Sequence, residues 1–209
     1  MPLSRAEDAQ KSSGAVVPQQ QSHSSCVLTG RVLLVLEAQE GVLAPPPRGV
    51  PASARVRQNI THVIACARHA QPPPQIVFVR NAGEPGDDDA RDASGWSLAI
   101  TPHAGEVVVD KRKNNAFLGS NLEAHIPCDA EVIVVGMLSD HCVRATCRAL
   151  LERGNEVLLV HGAHAAYDRL EVPGVTCAEK IEREIEQELE KSGVLVLGLE
   201  DAPLIFMDR

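Results

Sequence analysis

The chain has 209 residues, of which 44% are hydrophobic and 23% charged; this suits one α/β domain with a sizeable core and excludes a mainly disordered or fibrous protein. Acidic residues outnumber basic ones by 28 to 20, and the net charge of -8 gives no electrostatic reason for binding nucleic acid. No apolar run approaches the roughly 20 residues needed to cross a bilayer, and the start MPLSRAEDAQKSSG lacks the apolar core of a secretory signal, so a cytoplasmic location without membrane attachment is expected.

Residues 1–27 are rich in Ser, Gln and small polar residues, including QQQSHSS, and are expected to form a disordered tail ahead of a single domain over 28–209. RVLLVLEAQ (31–39) is an unbroken apolar run that suits a strand buried on both faces, with Glu37 and Gln39 at its carboxyl end. After the loop GVLAPPPRGVP, the apolar residues Val56, Ile60, Val63, Ile64 and Ala67 fall at helical spacing, and the prolines at 72–74 end that helix. IVFVR (76–80) is a second buried strand, followed by the turn-rich acidic loop NAGEPGDDDARDASG, whose aspartates are expected to be solvated. EVVVDK (106–111) and EVIVVG (131–136) are further strands of the same make. SDHCVRATCRALLERG (139–154) opens with capping residues and closes with Gly154, as a helix should. EVLLVHG (156–162) is the fifth strand, TCAEKIEREIEQELEKSG (176–193) is a helix with Ile181, Ile185 and Leu189 on one face, and VLVLG (194–198) supplies a sixth strand.

The cysteines at 26, 66, 128, 142, 147 and 177 lack the density of a disulfide scaffold and are expected to be reduced and mostly buried. There is no C-x-x-C pair, and His161 and His164 follow a strand instead of sharing a helix face, so no metal is expected. Strands alternating with helices imply a parallel sheet whose ligands gather at the carboxyl ends of the strands. Glu37, Lys111 and Cys142 all lie at or just beyond such ends. Cys142 falls in the first turn of its helix, where the dipole favours a thiolate; a lysine nearby would lower the thiol pKa further and a carboxylate could receive its proton. It is therefore expected to be the most reactive thiol. Position alone leaves another reading open, in which Cys142 is a small buried hydrophobe and Glu37 with Lys111 a structural ion pair. Aromatic residues make up only 2% of the chain, and Trp96 and Phe117, with Gln39, are the candidate pocket walls for a small polar substrate; Trp96 could equally plug a loop onto the core.

LLVLEAQ resembles the LLVIDMQ opening of the isochorismatase-like hydrolases, with Glu37 where the family has its catalytic aspartate. VVVDKRKNNAF resembles their third-strand motif through Lys111, Ala116 and Phe117. GMLSDHCVRAT is similar to their nucleophile segment G-x-x-T/S-x-x-C-V-x-x-T through Gly136, Ser139, Cys142, Val143 and Thr146. The resemblance covers residues 29 to 200 and implies a Rossmann-like three-layer α/β/α sandwich with a six-stranded parallel sheet. It also implies a catalytic triad of Glu37, Lys111 and Cys142, a cis peptide between Met137 and Leu138, and an oxyanion hole from the backbone N–H groups of Leu138 and Cys142. No cofactor is implied, and the assembly is expected to be a dimer or tetramer.

The chain departs from the family pattern at three places. Glu37 is one methylene longer than the family aspartate. The Asp-x-His metal pattern of nicotinamidases is absent from VRNAGEPGDDD, so nicotinamide is not the expected substrate. Gly162-Ala163 stands where the family has Asp-Ala, so a supporting acidic residue is missing. The implied activity is metal-independent hydrolysis of a small amide, carbamoyl or related C–N bond through a Cys142 thiolate and an acyl-enzyme. One alternative, motivated by Glu37, is a catalytically silent member acting as an oligomeric binding protein. Another is vinyl-ether hydrolysis of the isochorismate type, for which a cysteine is unnecessary.

Overall fold

The computed structural model describes residues 30–171 and 174–207, so the tail expected over 1–27 lies outside the described residues. Six strands form one sheet: β1 (Arg31–Leu36), β2 (Gln75–Asn81), β3 (Val107–Lys111), β4 (Glu131–Met137), β5 (Glu156–Ala165) and β8 (Leu195–Leu197). They run parallel in the order β3-β2-β1-β4-β5-β8. A separate antiparallel ribbon pairs β6 (Arg169–Glu171) with β7 (Gly174–Thr176).

Alternate residues of the central strands serve opposite faces, which explains their unbroken apolar sequences. Leu33, Val35, Ile133 and Val135 meet α1 (Ser53–His69) and α4 (Ala202–Ile205), while Leu34, Leu36, Val132 and Val134 meet α2 (Arg144–Glu152) and α3 (Ala178–Ser192). The result is a three-layer α/β/α sandwich. Val56, Ile60, Val63, Ile64 and Ala67 of α1 are all buried, as are Ile181, Ile185 and Leu189 of α3. Each buried aliphatic side chain of this size contributes about 1.5–3 kcal/mol. α1 ends before Pro72, and α3 stops at Gly193, whose φ of 108° suits glycine.

Two elements differ from expectation. The helix expected from Ser139 is divided into a wide π-type turn, Ser139–Val143, followed by α2, and no side chain caps either start. β5 runs past Gly162 to Ala165, and its register against β4 shifts between Val134 and Gly136.

Candidate active site

Four neighbouring strands deliver polar groups to one place from their carboxyl ends. β1 stops at Leu36, and Glu37 turns out of the sheet with φ 48°, a left-handed conformation that costs a residue with a Cβ about 1–2 kcal/mol. Its N–H still donates to Val79 at 2.7 Å, so the turn is tied to β2. Opposite, Gly136 of β4 has φ 124°, and a Cβ there would lie 1.9 Å from the Leu36 carbonyl oxygen; only glycine lets β1 and β4 approach so closely at the site. The following Met137–Leu138 peptide is cis.

Lys111 ends β3 and is 1% exposed. Its ammonium lies 2.5 Å from Glu37 Oε1, 3.0 Å from Asn81 Oδ1 and 3.2 Å from Cys142 Sγ. The contact with Glu37 is an ion pair off the hydrogen-bond axis. Cys142, 5% exposed, sits inside the wide turn, where the Val143 N–H reaches back to the Leu138 carbonyl at 3.1 Å. Its sulfur also lies 3.6 Å from Asn114 Oδ1. The structure therefore brings Glu37, Lys111 and Cys142 together.

The charge state of the thiol differs from the resting thiolate expected of a helix start. Burial pushes the Cys142 thiol up to about 12, the neighbouring Glu37 adds to the shift, and Lys111 opposes both without overcoming them. Burial also works against the Lys111 charge, but Glu37 and Cys142 hold its pKa above the usual lysine value. The free site thus holds a neutral thiol beside an ammonium that is already matched by a carboxylate. Cys142 is buried with Cys147, whereas Cys66 is half-buried and Cys128 and Cys177 are exposed, so the expectation of mostly buried cysteines does not hold. Access then favours the exposed thiols over Cys142 in simple alkylation, reversing the expected order.

Residues 31–173 match the family described as Isochorismatase domain. The chain belongs to the isochorismatase-like hydrolase family. It is similar to a streptothricin hydrolase of Streptomyces noursei, with 35% identity over 150 residues that cover 70% of this chain and 53% of that protein. The chain thus spans about half the length of the curated relatives it matches first. Among solved structures, an isochorismatase from Pseudomonas putida KT2440 aligns with a TM-score of 0.74 at 24% identity, covering 83% of this chain and 90% of that one. A cysteine hydrolase from Pseudomonas syringae pv. phaseolicola 1448A gives a TM-score of 0.74 at 22% identity, covering 84% and 92%. These two likenesses establish the fold.

In this isochorismatase-like chain a buried polar chain runs from the turn that carries Cys142 to α3. His164 of β5 is fully buried; its Nδ1 lies 2.9 Å from Ser139 Oγ and its Nε2 2.9 Å from Glu186 Oε1. A carboxylate only accepts, so Nε2 carries a proton toward Glu186, and in the neutral ring Nδ1 accepts from the Ser139 hydroxyl. His161 Nδ1 reaches the same Glu186 oxygen at 2.7 Å. Burial would raise the Glu186 pKa, but hydrogen bonds from His164 and His161 hold it below the usual glutamate value. The carboxylate joined through His164 to the turn that carries Cys142 comes from α3, not from the end of β5. Its sequence signal is the pair Glu182 and Glu186, which follow Ile181 and Ile185 along the buried side of α3. Among the described residues, no cluster of three or more His, Cys, Asp or Glu is arranged to hold a metal ion.

Asn81 and Asn114 were not singled out from sequence, although a polar residue at the end of a buried strand marks Asn81. Thr146 Oγ1 accepts from the Ala116 N–H at 3.2 Å and donates to the Asn114 carbonyl at 3.3 Å, so Thr146 clamps the loop after β3.

A cavity of about 500 Å³ opens at Glu37, with Gln39, Val42, Leu138 and Tyr167 also among its walls, while Lys111 and Cys142 lie behind them. Gln39 is buried, and its amide is spent on main chain: Nε2 donates to the carbonyls of Asn81 and Trp96, and Oε1 accepts from the Asn81 N–H at 2.7 Å. Trp96 is stacked under the Arg80 guanidinium, 3.9 Å from its centroid, and stays outside the walls. Phe117 packs on the apolar cluster beneath α2 and α3 with Arg153 over its ring at 4.6 Å, so it is a core residue instead of a wall. Tyr167 supplies the aromatic wall, its hydroxyl donating to the Arg48 carbonyl at 3.0 Å.

Proposed function

We propose that this chain is a metal-independent cysteine hydrolase that cleaves a small amide, carbamoyl or related C–N bond through an acyl-enzyme on Cys142. The observation that carries the reading is the buried Lys111 ammonium held between Glu37 and the Cys142 sulfur, at 2.5 Å and 3.2 Å, beside a cavity. A purely structural ion pair would require neither a thiol at that distance nor a left-handed Glu37.

In the first half-reaction the Cys142 proton passes to Glu37 as the sulfur attacks the carbonyl carbon, so a thiolate forms only as it is consumed. Lys111 stabilises the negative sulfur during that transfer. The oxyanion of the tetrahedral intermediate is assigned to the backbone N–H groups of Leu138 and Cys142, each such donor being worth about 3–4 kcal/mol. Collapse expels the nitrogen leaving group, which takes the proton from Glu37 and leaves a thioester. Water then attacks the thioester carbon, giving its proton to Glu37; the carboxylic acid product departs and the proton returns to Cys142. Metal independence is supported by Asn81, a neutral amide in the segment where nicotinamidases have Asp-x-His, with its side chain committed to Lys111 and Asp89.

A Glu37 carboxylate turned away from its partners would favour the silent-protein alternative, and its contact with Lys111 supports the hydrolase reading instead. The test is a panel of amides, ureas, carbamoyl compounds and streptothricin, assayed with wild type and Cys142→Ala, with mass spectrometry for a thioester on the Cys142 peptide. Turnover lost in Cys142→Ala, with a trapped adduct in wild type, is the expected result. No turnover and no adduct across the panel would sink the proposal, and isochorismate turnover retained by Cys142→Ala would favour the vinyl-ether reading.

A further inference from the structure

Charge on the cavity wall can be matched pair by pair. Lys111 answers Glu37 at 2.5 Å. Arg48 answers Asp88 with contacts of 2.9 Å and 2.5 Å, and also reaches Ser94 Oγ at 3.1 Å. That second pair is half exposed at the cavity rim, and the Asp88 carboxylate lies where side chains at Gly41 and Gly95 would fall; Cβ atoms there would be 2.3 Å and 2.7 Å from its Oδ2. Arg48 pairs with Asp88 and makes no ion pair with the next residue. Asp89 also lines the cavity, and among the described residues no Lys, Arg or His stands within ion-pair distance of it. The arginines of the same region, Arg80 and Arg91, are both turned to Asp110, at 2.8 Å and 2.9 Å.

The partner of Asp89 is a neutral amide: Asn81 Nδ2 donates to its Oδ2 at 2.6 Å. The other end of that amide, Oδ1, accepts from the Lys111 ammonium at 3.0 Å. The two ends cannot exchange, since an amide oxygen facing Asp89 and an amide nitrogen facing the ammonium would each meet a group of its own kind. Asn81 thus fixes Asp89 relative to the nucleophile. Asp89 Oδ1 accepts no hydrogen bond from a described residue, and it lies beside Gly83, where a Cβ would be 2.0 Å away. The acidic loop whose aspartates were expected to be solvated therefore contributes one fixed, unmatched negative charge to the wall of the catalytic cavity.

We infer that the cavity selects a substrate bearing a cationic group, an alkylammonium or guanidinium, next to the scissile C–N bond, with Asp89 as the residue that determines this specificity. The inference rests on the hydrolase reading for the word substrate, but the charge preference itself does not. A carboxylate at the same place on the substrate is disfavoured by Asp89, and a neutral group gains nothing from it.

Two measurements on the full chain separate the charge preference from the hydrolase reading. The first needs no turnover: Cys142 is modified by 2-aminoethyl, methyl and 2-sulfonatoethyl methanethiosulfonate, which are cationic, neutral and anionic, and each rate is resolved by peptide mass spectrometry. All three reagents depend equally on the thiolate fraction, so their rate ratios report the local potential. The cation-to-anion ratio at Cys142 is expected to fall about tenfold in Asp89→Asn, which keeps the acceptor for Asn81, while the ratio at exposed Cys177 stays unchanged. The second compares β-alaninamide, butyramide and succinamate, which are similar in length and differ in charge. Wild type is expected to favour the cation, and Asp89→Asn to raise its KM about tenfold with kcat kept. An unchanged methanethiosulfonate ratio overturns the inference, as does turnover of all three amides without charge preference. A changed ratio with no turnover of any amide supports the charged site and counts against the hydrolase reading alone.

Discussion

Shortening Glu37 by one methylene tests whether this site has been rebuilt around the longer side chain. Removing one C–C bond retracts the carboxylate by about 1.5 Å. The Glu37–Lys111 separation would then grow from 2.5 Å to about 4 Å. With an effective dielectric constant of about 20, the pair energy falls from about 6.6 to about 4 kcal/mol, a loss of about 2.5 kcal/mol. Little of this is screened, since the Lys111 side chain is fully buried and that of Glu37 only 13% exposed. If the same alignment is needed to receive the thiol proton, a loss of that size slows turnover by roughly 50- to 100-fold. Glu37→Gln keeps the shape but removes the base, and is expected to cost about 10²–10⁴-fold. The assay is kcat/KM on the best substrate of the panel for wild type, Glu37→Asp and Glu37→Gln, each checked for folding by circular dichroism. A Glu37→Asp variant as fast as wild type, or faster, would refute the reasoning and identify Glu37 as a defect that the aspartate repairs.

Iodoacetamide at pH 7 should label exposed Cys128 or Cys177 before Cys142, and the Cys142 rate should climb with pH without a plateau through pH 10, roughly tenfold per unit, because its thiol is pushed up to about 12; an early plateau in the peptide-resolved rates would contradict the thiol-state argument. Gly136→Ala should cost about 3 kcal/mol or more in denaturant unfolding, or fail to fold, since its Cβ would meet the Leu36 carbonyl at 1.9 Å in a backbone with φ 124°; a loss below 1 kcal/mol would show that β1 and β4 can separate cheaply. Glu186 has a folded pKa below its ordinary 4.5, so the stability it contributes is present above that value and lost as pH falls through the folded one. Urea unfolding of wild type should therefore weaken below about pH 4.5 more steeply than that of Glu186→Gln, and parallel curves would remove the His164–Glu186 contribution.

Much of the fold was legible because burial on both faces leaves an unmistakable trace in RVLLVL, IVFV and VIVV, and because α1 and α3 repeat their apolar residues at helical spacing. The short elements escaped: β6 and β7 have three residues each and bury none of them fully, so no periodicity marks them. In sequence the wide turn around Cys142 is indistinguishable from the start of a helix, since lengthening a hydrogen-bonded turn by one residue changes neither composition nor spacing. Glu37, Lys111 and Cys142 could be named because they end strands and match motif spacing. The protonation of the thiol could not, as it depends on how fully the sulfur is enclosed and on Glu37 cancelling Lys111. The place of Phe117 against the core is hidden for a related reason: scarcity of aromatics says nothing about which side of the sheet a ring faces.

The order of the sheet places Lys111 on one of its two edge strands. β3 is an edge strand, paired only with β2, and its last pairing sets Lys111 against Asn81. A slip of one residue along β2 would move the lysine by about 3.3 Å and turn its side chain to the opposite face. Edge strands fray at lower free energy than the strands they flank. In the proposed mechanism catalytic competence is thereby fastened to the margin of the domain, and on gentle heating turnover should vanish while β1, β4 and β5 still hold their packing, so that inactivation reports local fraying before the melting of the whole.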